Sequence, residues 1–135
     1  MSFTKKKNKI LIIDFGSQVT KLIARRIRDI GVYSEIINHR QIDKVDDFEY
    51  IKGIILSGGP ATVTEKKFPK IPIEIFSKGI PILGICYGLQ LITKIFGGKV
   101  KTLKKKREFG RAIIKKKKES LLTKNFYKKK KSIVW

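Results

Sequence analysis

This chain of 135 residues is short of cysteine, histidine and acid: it has one Cys, one His and 11 Asp or Glu against 32 Lys or Arg. A lone cysteine cannot close an internal disulfide. Cys86 is therefore a buried apolar filler, a metal ligand lacking partners or a reactive thiol, and composition alone favours the filler. One cysteine, one histidine and scattered carboxylates give no ligand spacing for zinc. No phosphate loop of the Gly-Lys-Ser/Thr type occurs either, so no metal site is expected. No apolar run approaches the roughly 20 residues of a membrane helix. The first nine residues are polar and lysine-rich with no signal-peptide core behind them, which predicts a cytoplasmic protein with no membrane partner.

What the chain has in excess is positive charge, formally +21 at pH 7. Clustered lysines can bind nucleic acid by releasing counterions from phosphates. Here the densest runs, at 104–107, 115–118 and 128–131, fall late in the chain with little aromatic interleaving. They read as solvated faces and loops, and nucleic-acid binding is not expected. An apolar content of 41% fits a folded domain with a hydrophobic core. Residues 1–8 are assigned as a polar extension and residues 9–135 as the folded part.

The order of the chain is alternating. Ile10-Leu11-Ile12-Ile13-Asp14 is a continuous apolar run of the kind buried on both faces of a sheet. After Phe15-Gly16-Ser17-Gln18, the residues Val19, Leu22, Ile23, Ile27 and Ile30 recur at helical spacing, and Gly31 closes that helix. Strands are expected next at 32–37, at Gly53-Ile54-Ile55-Leu56, and at Ile80-Pro81-Ile82-Leu83-Gly84-Ile85, with a weak helix near 73–78. Leu89, Ile92, Ile95 and Phe96 restart helical spacing, which Gly97-Gly98 ends. Strands alternating with helices predict an α/β fold: a mostly parallel sheet with helices on both faces. Beyond residue 99, apolar groups at 100–103, 109–114 and 132–135 predict short antiparallel strands appended to it. Ligands of such sheets bind beyond the carboxyl ends of the strands. Three of those ends carry small or reactive residues, at 14–18, 57–60 and 84–88, and are expected to converge.

The most informative segment is Gly84-Ile85-Cys86-Tyr87-Gly88, between a buried strand and a helix. Flanking glycines allow a sharp turn that projects the middle side chain, the logic of a nucleophile elbow. The helix that follows directs free N–H groups and the positive end of its dipole at the sulfur, where they stabilise negative charge. The N–H of Tyr87 then faces the place where a tetrahedral oxyanion would develop. A second donor can come from Ser57-Gly58-Gly59-Pro60, because glycine lets the backbone approach a ligand closely. His39, the sole histidine, has no carboxylate partner in the pattern and reads as a loop residue. Asp14 reads as capping the turn after its strand.

Together, Ser57-Gly58-Gly59-Pro60 and Gly84-Ile85-Cys86-Tyr87-Gly88-Leu89-Gln90 resemble the class I glutamine amidotransferases, whose fold is flavodoxin-like. Asp14-Phe15-Gly16-Ser17-Gln18, Ala24-Arg25-Arg26 with Gly31-Val32-Tyr33, and Arg107-Glu108-Phe109-Gly110-Arg111 are similar to the GMP synthetase branch of that family. The resemblance implies that Cys86 attacks the side-chain amide of glutamine, that Tyr87 and Gly59 donate N–H bonds to the oxyanion, and that Gly58, Gly59 and Gln90 line the glutamine pocket. It also implies a partner: an ATP pyrophosphatase domain, in the same chain or on a separate polypeptide, that uses ATP and magnesium to turn XMP into GMP, within a homodimer. The pyrophosphatase and dimerisation domains are not in this sequence, and this part needs no cofactor.

Two departures from the family pattern stand out. Val19 replaces an aromatic residue, which should alter packing more than chemistry. The segment resembling Ile133-Val134-Trp135 precedes the family's catalytic His and Glu, which this sequence does not contain, so the fold is expected to be incomplete and the chain inactive alone. Uncovered apolar faces and a free strand edge would then make it marginally stable or self-associating. A different class of reading makes the chain a flavodoxin-like binding or redox-sensing module whose elbow cysteine serves oxidation.

Overall fold

A computed structural model describes residues 6–103, 110–127 and 130–135. The chain forms two compact units with the boundary between Lys101 and Thr102. In the first, strand β1 (Lys9–Asp14) leads into helix α1 (Thr20–Asp29), strand β2 (Ser34–Asn38), strand β3 (Ile51–Leu56), strand β4 (Ile82–Gly84) and helix α2 (Tyr87–Ile95). The four strands form one parallel sheet in the order β2-β1-β3-β4. The α/β parallel fold read from the sequence is the fold observed.

Each strand forms where a short apolar run can be covered on both faces. Leu11, Ile13, Ile54 and Leu56 point to one side of the sheet. There they build the core with Ile42, Val63, Ile71, Ile75, Tyr87 and Leu91. Ile12 pairs in register with Ile36 on one flank and Ile55 on the other, and side chains in register share a face of a parallel sheet. That second face carries α1. The turn after α1 is Gly31 with φ of +81°, a backbone region where a Cβ is strained.

The helix surfaces differ from the periodicity. The residues of α1 that are buried are Thr20 and Ala24, while Val19, Leu22 and Ile30 are exposed, Leu22 at 50%. The stripe of apolar residues is wider than the strip of sheet that α1 covers, so its outer members remain in solvent. In α2, Tyr87, Gly88 and Leu91 are buried, whereas Leu89 and Phe96 are exposed. The weak helix expected near 73–78 is a five-residue 3-10 turn, Ile73–Ser77, entered from Pro72. Proline's fixed φ suits such an entry, and the segment is too short to nucleate an α-helix.

The N-terminal edge of the sheet is tied by charge. The Lys9 ammonium is buried and lies 2.6 Å from both Glu35 Oε2 and Asp47 Oδ2. Burial pulls the lysine pKa down, but the hydrogen bonds and charges of Asp47 and Glu35 outweigh it and leave the value raised.

In the second unit, strands β5 (Ala112–Lys115) and β6 (Lys131–Val134) pair antiparallel with each other as a two-stranded sheet. The antiparallel strands expected late in the chain are present as this pair. No strand forms at 100–103. The lysine run at 104–107 and parts of the 109–114 run, of the 107–111 match and of the lysine run at 128–131 lie outside the described residues. Among the described residues, no helix is long and apolar enough to cross a membrane.

Candidate active site

At the carboxyl edge of the sheet, β4 ends at Gly84 and α2 begins at Tyr87, leaving Ile85 and Cys86 to make the turn. Cys86 has φ 51° and ψ −113°, and its side chain is exposed. An L-residue in that region costs on the order of 1–3 kcal/mol, so the turn persists only because both sides of it are fixed. Ile85 N–H donates to the Leu56 carbonyl at 2.9 Å, and Gln90 N–H donates to the Cys86 carbonyl at 3.2 Å. The flanking glycines let helix and sheet close on the turn. A Cβ on Gly88 would lie 2.1 Å from the Leu56 carbonyl oxygen, and one on Gly84 would lie 2.7 Å from Leu89 N.

Tyr87 anchors the helix start from below. Its ring is 1% exposed, packs 5.0 Å from the Phe15 ring, and its hydroxyl donates to the Pro69 carbonyl. Burial, with the nearby negative charge of Glu65, pushes its pKa up to about 12. The Tyr87 side chain is thus a structural anchor, and its remaining polar hydrogen is on the backbone N–H. That group is the first of α2, where an N–H has no intrahelical acceptor.

The Ser57-Gly58-Gly59-Pro60 loop comes from the adjacent strand β3. A Cβ on Gly58 would meet Cys86 Cβ at 3.4 Å and Ser17 Oγ at 3.6 Å. Those contacts bring the three strand-end loops to one place, as the sequence implied. Gly59 is pressed against the β1 loop: a Cβ there would sit 2.3 Å from the Phe15 carbonyl oxygen. Among the described residues, neither the Gly59 nor the Tyr87 N–H makes a hydrogen bond within the protein.

Gln90 is one turn into α2 and half-buried. Its Oε1 accepts from Thr62 Oγ1 at 2.9 Å and from Val63 N–H at 3.3 Å. This ties the segment after Pro60 to the helix that carries Cys86. His39 stacks on Phe15 with ring centroids 5.2 Å apart, and its Nδ1 is 3.3 Å from the Asp14 carbonyl. A carbonyl only accepts, so this contact is a hydrogen bond in the tautomer that carries its proton on Nδ1. Asp14 does cap its turn: Oδ1 accepts from Gly16 N–H at 2.9 Å and Ser17 N–H at 3.2 Å.

Sequence reasoning passed over two residues here. Thr20, 2% exposed, donates through Oγ1 to Asp14 Oδ1 at 2.9 Å, and the same oxygen lies 3.0 Å from Oγ of Ser57, 0% exposed. Ser57 appeared in the sequence only as part of a loop motif. The signal that marks both is a hydroxyl at a position the pattern buries: one turn before Ala24 on α1, and immediately after Leu56 of β3.

The family model described as Glutamine amidotransferase class-I matches residues 11–135, and the chain belongs to that family. Its relatives narrow the branch. The chain is 52% identical over 127 residues to a glutamine-hydrolysing GMP synthase of Prochlorococcus marinus, covering 93% of this chain and 24% of that protein. It is 54% identical over 108 residues to the GMP synthase of Fusobacterium nucleatum, covering 79% and 21%. Over 122 residues it is 50% identical to that of Staphylococcus aureus, covering 90% and 23%. The crystal structure of a GMP synthase subunit from Thermoplasma acidophilum superposes with a TM-score of 0.73 at 28% identity, over 96% of this chain and 63% of that one. The chain thus spans about a quarter of the length of these curated relatives, and its similarity is to the amidotransferase part of GMP synthases.

Proposed function

We propose that this chain supplies the nucleophile and the oxyanion site of a glutamine-hydrolysing GMP synthase. The observation that carries this reading is Cys86: an exposed thiol held at φ 51° at the head of α2, with the backbone of Gly58 against its Cβ. In the proposed reaction the Cys86 thiolate adds to the side-chain carbonyl carbon of glutamine, and the N–H groups of Tyr87 and Gly59 bind the resulting oxyanion. The C–N bond breaks, the nitrogen takes a proton and leaves as ammonia, and water hydrolyses the thioester to glutamate and free thiol. Gly58 and Gln90 line the glutamine pocket. Gln90 does so partly by holding Thr62 and Val63 in place, since its Oε1 is already engaged there.

The ammonia would pass to an ATP pyrophosphatase partner, in the same polypeptide or on a separate one, that adenylates XMP with ATP and magnesium and aminates it to GMP in a homodimeric enzyme. Glutamine turnover needs a general base, worth about 100-fold or more. The sole histidine, His39, is engaged by Phe15 and the Asp14 carbonyl, so this reading assigns the base to the family's His and Glu outside this sequence. The chain alone is then expected to acylate slowly and to release little ammonia.

The test is covalent labelling with 6-diazo-5-oxo-L-norleucine, a glutamine-shaped electrophile, read by peptide mass spectrometry. Modification is expected on Cys86, to be blocked by excess glutamine and absent from Cys86→Ala. Labelling by iodoacetamide together with indifference to the glutamine analogue would overturn the reading and favour a redox thiol. Ammonia release at the rate of a complete amidotransferase would overturn the assignment of the base to residues outside the chain.

A further inference from the structure

We propose that Asp14, Thr20 and Ser57 form a buried hydroxyl relay that orients the peptide joining Gly58 to Gly59, making Thr20 and Ser57 positioning residues for the oxyanion site. The proposal rests on the Cys86 reading above and adds to it the device that aims one of the two donors.

The relay runs from one strand end to the next. Thr20 Oγ1 is 2.9 Å from Asp14 Oδ1 and 3.0 Å from Ser57 Oγ, and Ser57 Oγ is 3.3 Å from the Gly58 carbonyl oxygen. Both hydroxyls are buried, and Ser57 N–H is fixed separately by the Ile13 carbonyl at 3.0 Å. A trans peptide points its C=O and N–H in opposite directions. Whatever holds the Gly58 carbonyl toward Ser57 therefore directs the Gly59 N–H to the opposite side of the same peptide.

Proton counting shows why three residues are needed. The chain of contacts has three links but only two hydroxyl protons, because the carboxylate and the carbonyl at its ends only accept. The Thr20 proton goes to the carboxylate, where a charge-assisted bond is the stronger one. Ser57 then shares its single proton in a three-centre bond between Thr20 Oγ1 and the Gly58 carbonyl. If Thr20 were turned toward Ser57 instead, its oxygen and the Asp14 carboxylate oxygen would face each other at 2.9 Å with no proton between them. Asp14 thus fixes Thr20, Thr20 fixes the rotor of Ser57, and Ser57 fixes the peptide. Gly59 itself lies close against the β1 loop, where an added Cβ would be 2.3 Å from the Phe15 carbonyl oxygen.

The experiment compares two reagents on Cys86 in Ser57→Ala, Thr20→Val and Thr20→Ser. The ketone of 6-diazo-5-oxo-L-norleucine uses the oxyanion donors, whereas iodoacetamide reports thiol access alone. Ser57→Ala and Thr20→Val are expected to slow ketone labelling roughly tenfold while iodoacetamide stays within about twofold, and Thr20→Ser, which restores the hydroxyl, is expected to recover most of the rate. Independently of any chemistry, the amide signal of Gly59 in a 15N-glycine spectrum should move in Thr20→Val and return in Thr20→Ser. Equal slowing of both reagents, or a Gly59 signal unmoved by loss of the Thr20 hydroxyl, would overturn the relay. A parent chain that the ketone does not label overturns the nucleophile reading itself, and the relay's role in it with that.

Discussion

At the N-terminal edge of the parallel sheet, a buried lysine sits between two carboxylates at 2.6 Å each. At the carboxyl edge of the same strands, a cysteine is held at φ 51° with its side chain in solvent. The first edge favours the folded state on balance: burial works against the Lys9 ammonium, but its two carboxylates outweigh that and hold its proton more tightly than water does. The second edge is built against local preference, with a strained residue and glycines packed where no Cβ fits. The chain is free to carry chemistry at the carboxyl edge. Stability gathered at one end of the strands, and in the core between, lets the other end hold a conformation that the turn would not adopt alone.

The largest way to break that contrast is steric. A methyl at Gly88 would lie 2.1 Å from the Leu56 carbonyl oxygen, a backbone atom in β3 that cannot swing aside. Gly88→Ala is expected to cost about 3–5 kcal/mol in urea denaturation, enough to unfold a marginal domain. Gly31→Ala, at the turn leading to the opposite edge, meets no atom within 4 Å and bears only the strain of φ +81°. Its expected cost is about 1 kcal/mol. Similar losses for the two variants would mean that the carboxyl edge is no more tightly closed than the other.

Alkaline pH sharpens the comparison because one responsive group lies at each edge. Tyr87 is raised to about 12 by burial and Glu65, and Lys9 is raised above 10.5 by its carboxylates. In both cases the folded state binds the proton more tightly than the unfolded state. The stability they contribute is complete below about pH 10 and is lost as pH climbs through the folded values. For Tyr87 a two-unit displacement corresponds to about 3 kcal/mol at most. Urea midpoints measured between pH 9 and 12 should fall, and Tyr87→Phe and Lys9→Met should each flatten part of the fall. A midpoint insensitive to pH over that range would show that neither Tyr87 nor Lys9 holds its proton more tightly in the folded state.

How much of this was legible in the sequence depends on what leaves a periodic mark. Ile10 to Asp14 and Gly53 to Leu56 announced β1 and β3 because strands buried on both faces must be apolar throughout. The cysteine elbow announced itself through glycine spacing, and the three loops do meet beside Gly58. The helix faces were less legible. Val19 and Leu22 fit the period yet are exposed, while Thr20 is buried, because burial depends on which strip of sheet the helix crosses and not on its own sequence. The hydroxyl relay was invisible for a related reason: two buried oxygens 37 residues apart satisfy each other, and neither alters composition or period. Residues 100–103 carry strand-forming side chains but pair with nothing among the described residues. Local propensity without a ladder partner does not make a strand.

Removing the lysine at the stabilising edge is the next test in size. In Lys9→Met the stem still fills its space, but Glu35 and Asp47 are left facing each other without their shared cation. The two carboxylates are partly exposed, so water softens the loss, and about 2 kcal/mol is expected in place of the larger figures seen for fully buried pairs. Iodoacetamide labelling of Cys86 under native conditions should not change, because the elbow is at the other end of the strands. A Lys9→Met variant that lost Cys86 reactivity while still folded would show that the edges are coupled.

The smallest expected effect has the opposite sign and tests the strained edge directly. Glycine adopts φ 51°, ψ −113° without the clash that a Cβ brings, so Cys86→Gly should relieve part of the strain. Against this stands the extra conformational freedom that glycine gives the unfolded chain, about 0.5–1 kcal/mol, so the net gain should be near 1 kcal/mol. The variant is expected to unfold at slightly higher urea than the parent and to lose all labelling by the glutamine analogue. Cys86→Ala, which keeps a Cβ and hence the strain, should lose labelling with no such gain. If alanine and glycine stabilise equally, the thiol and not the backbone is what disfavours the folded state at this turn.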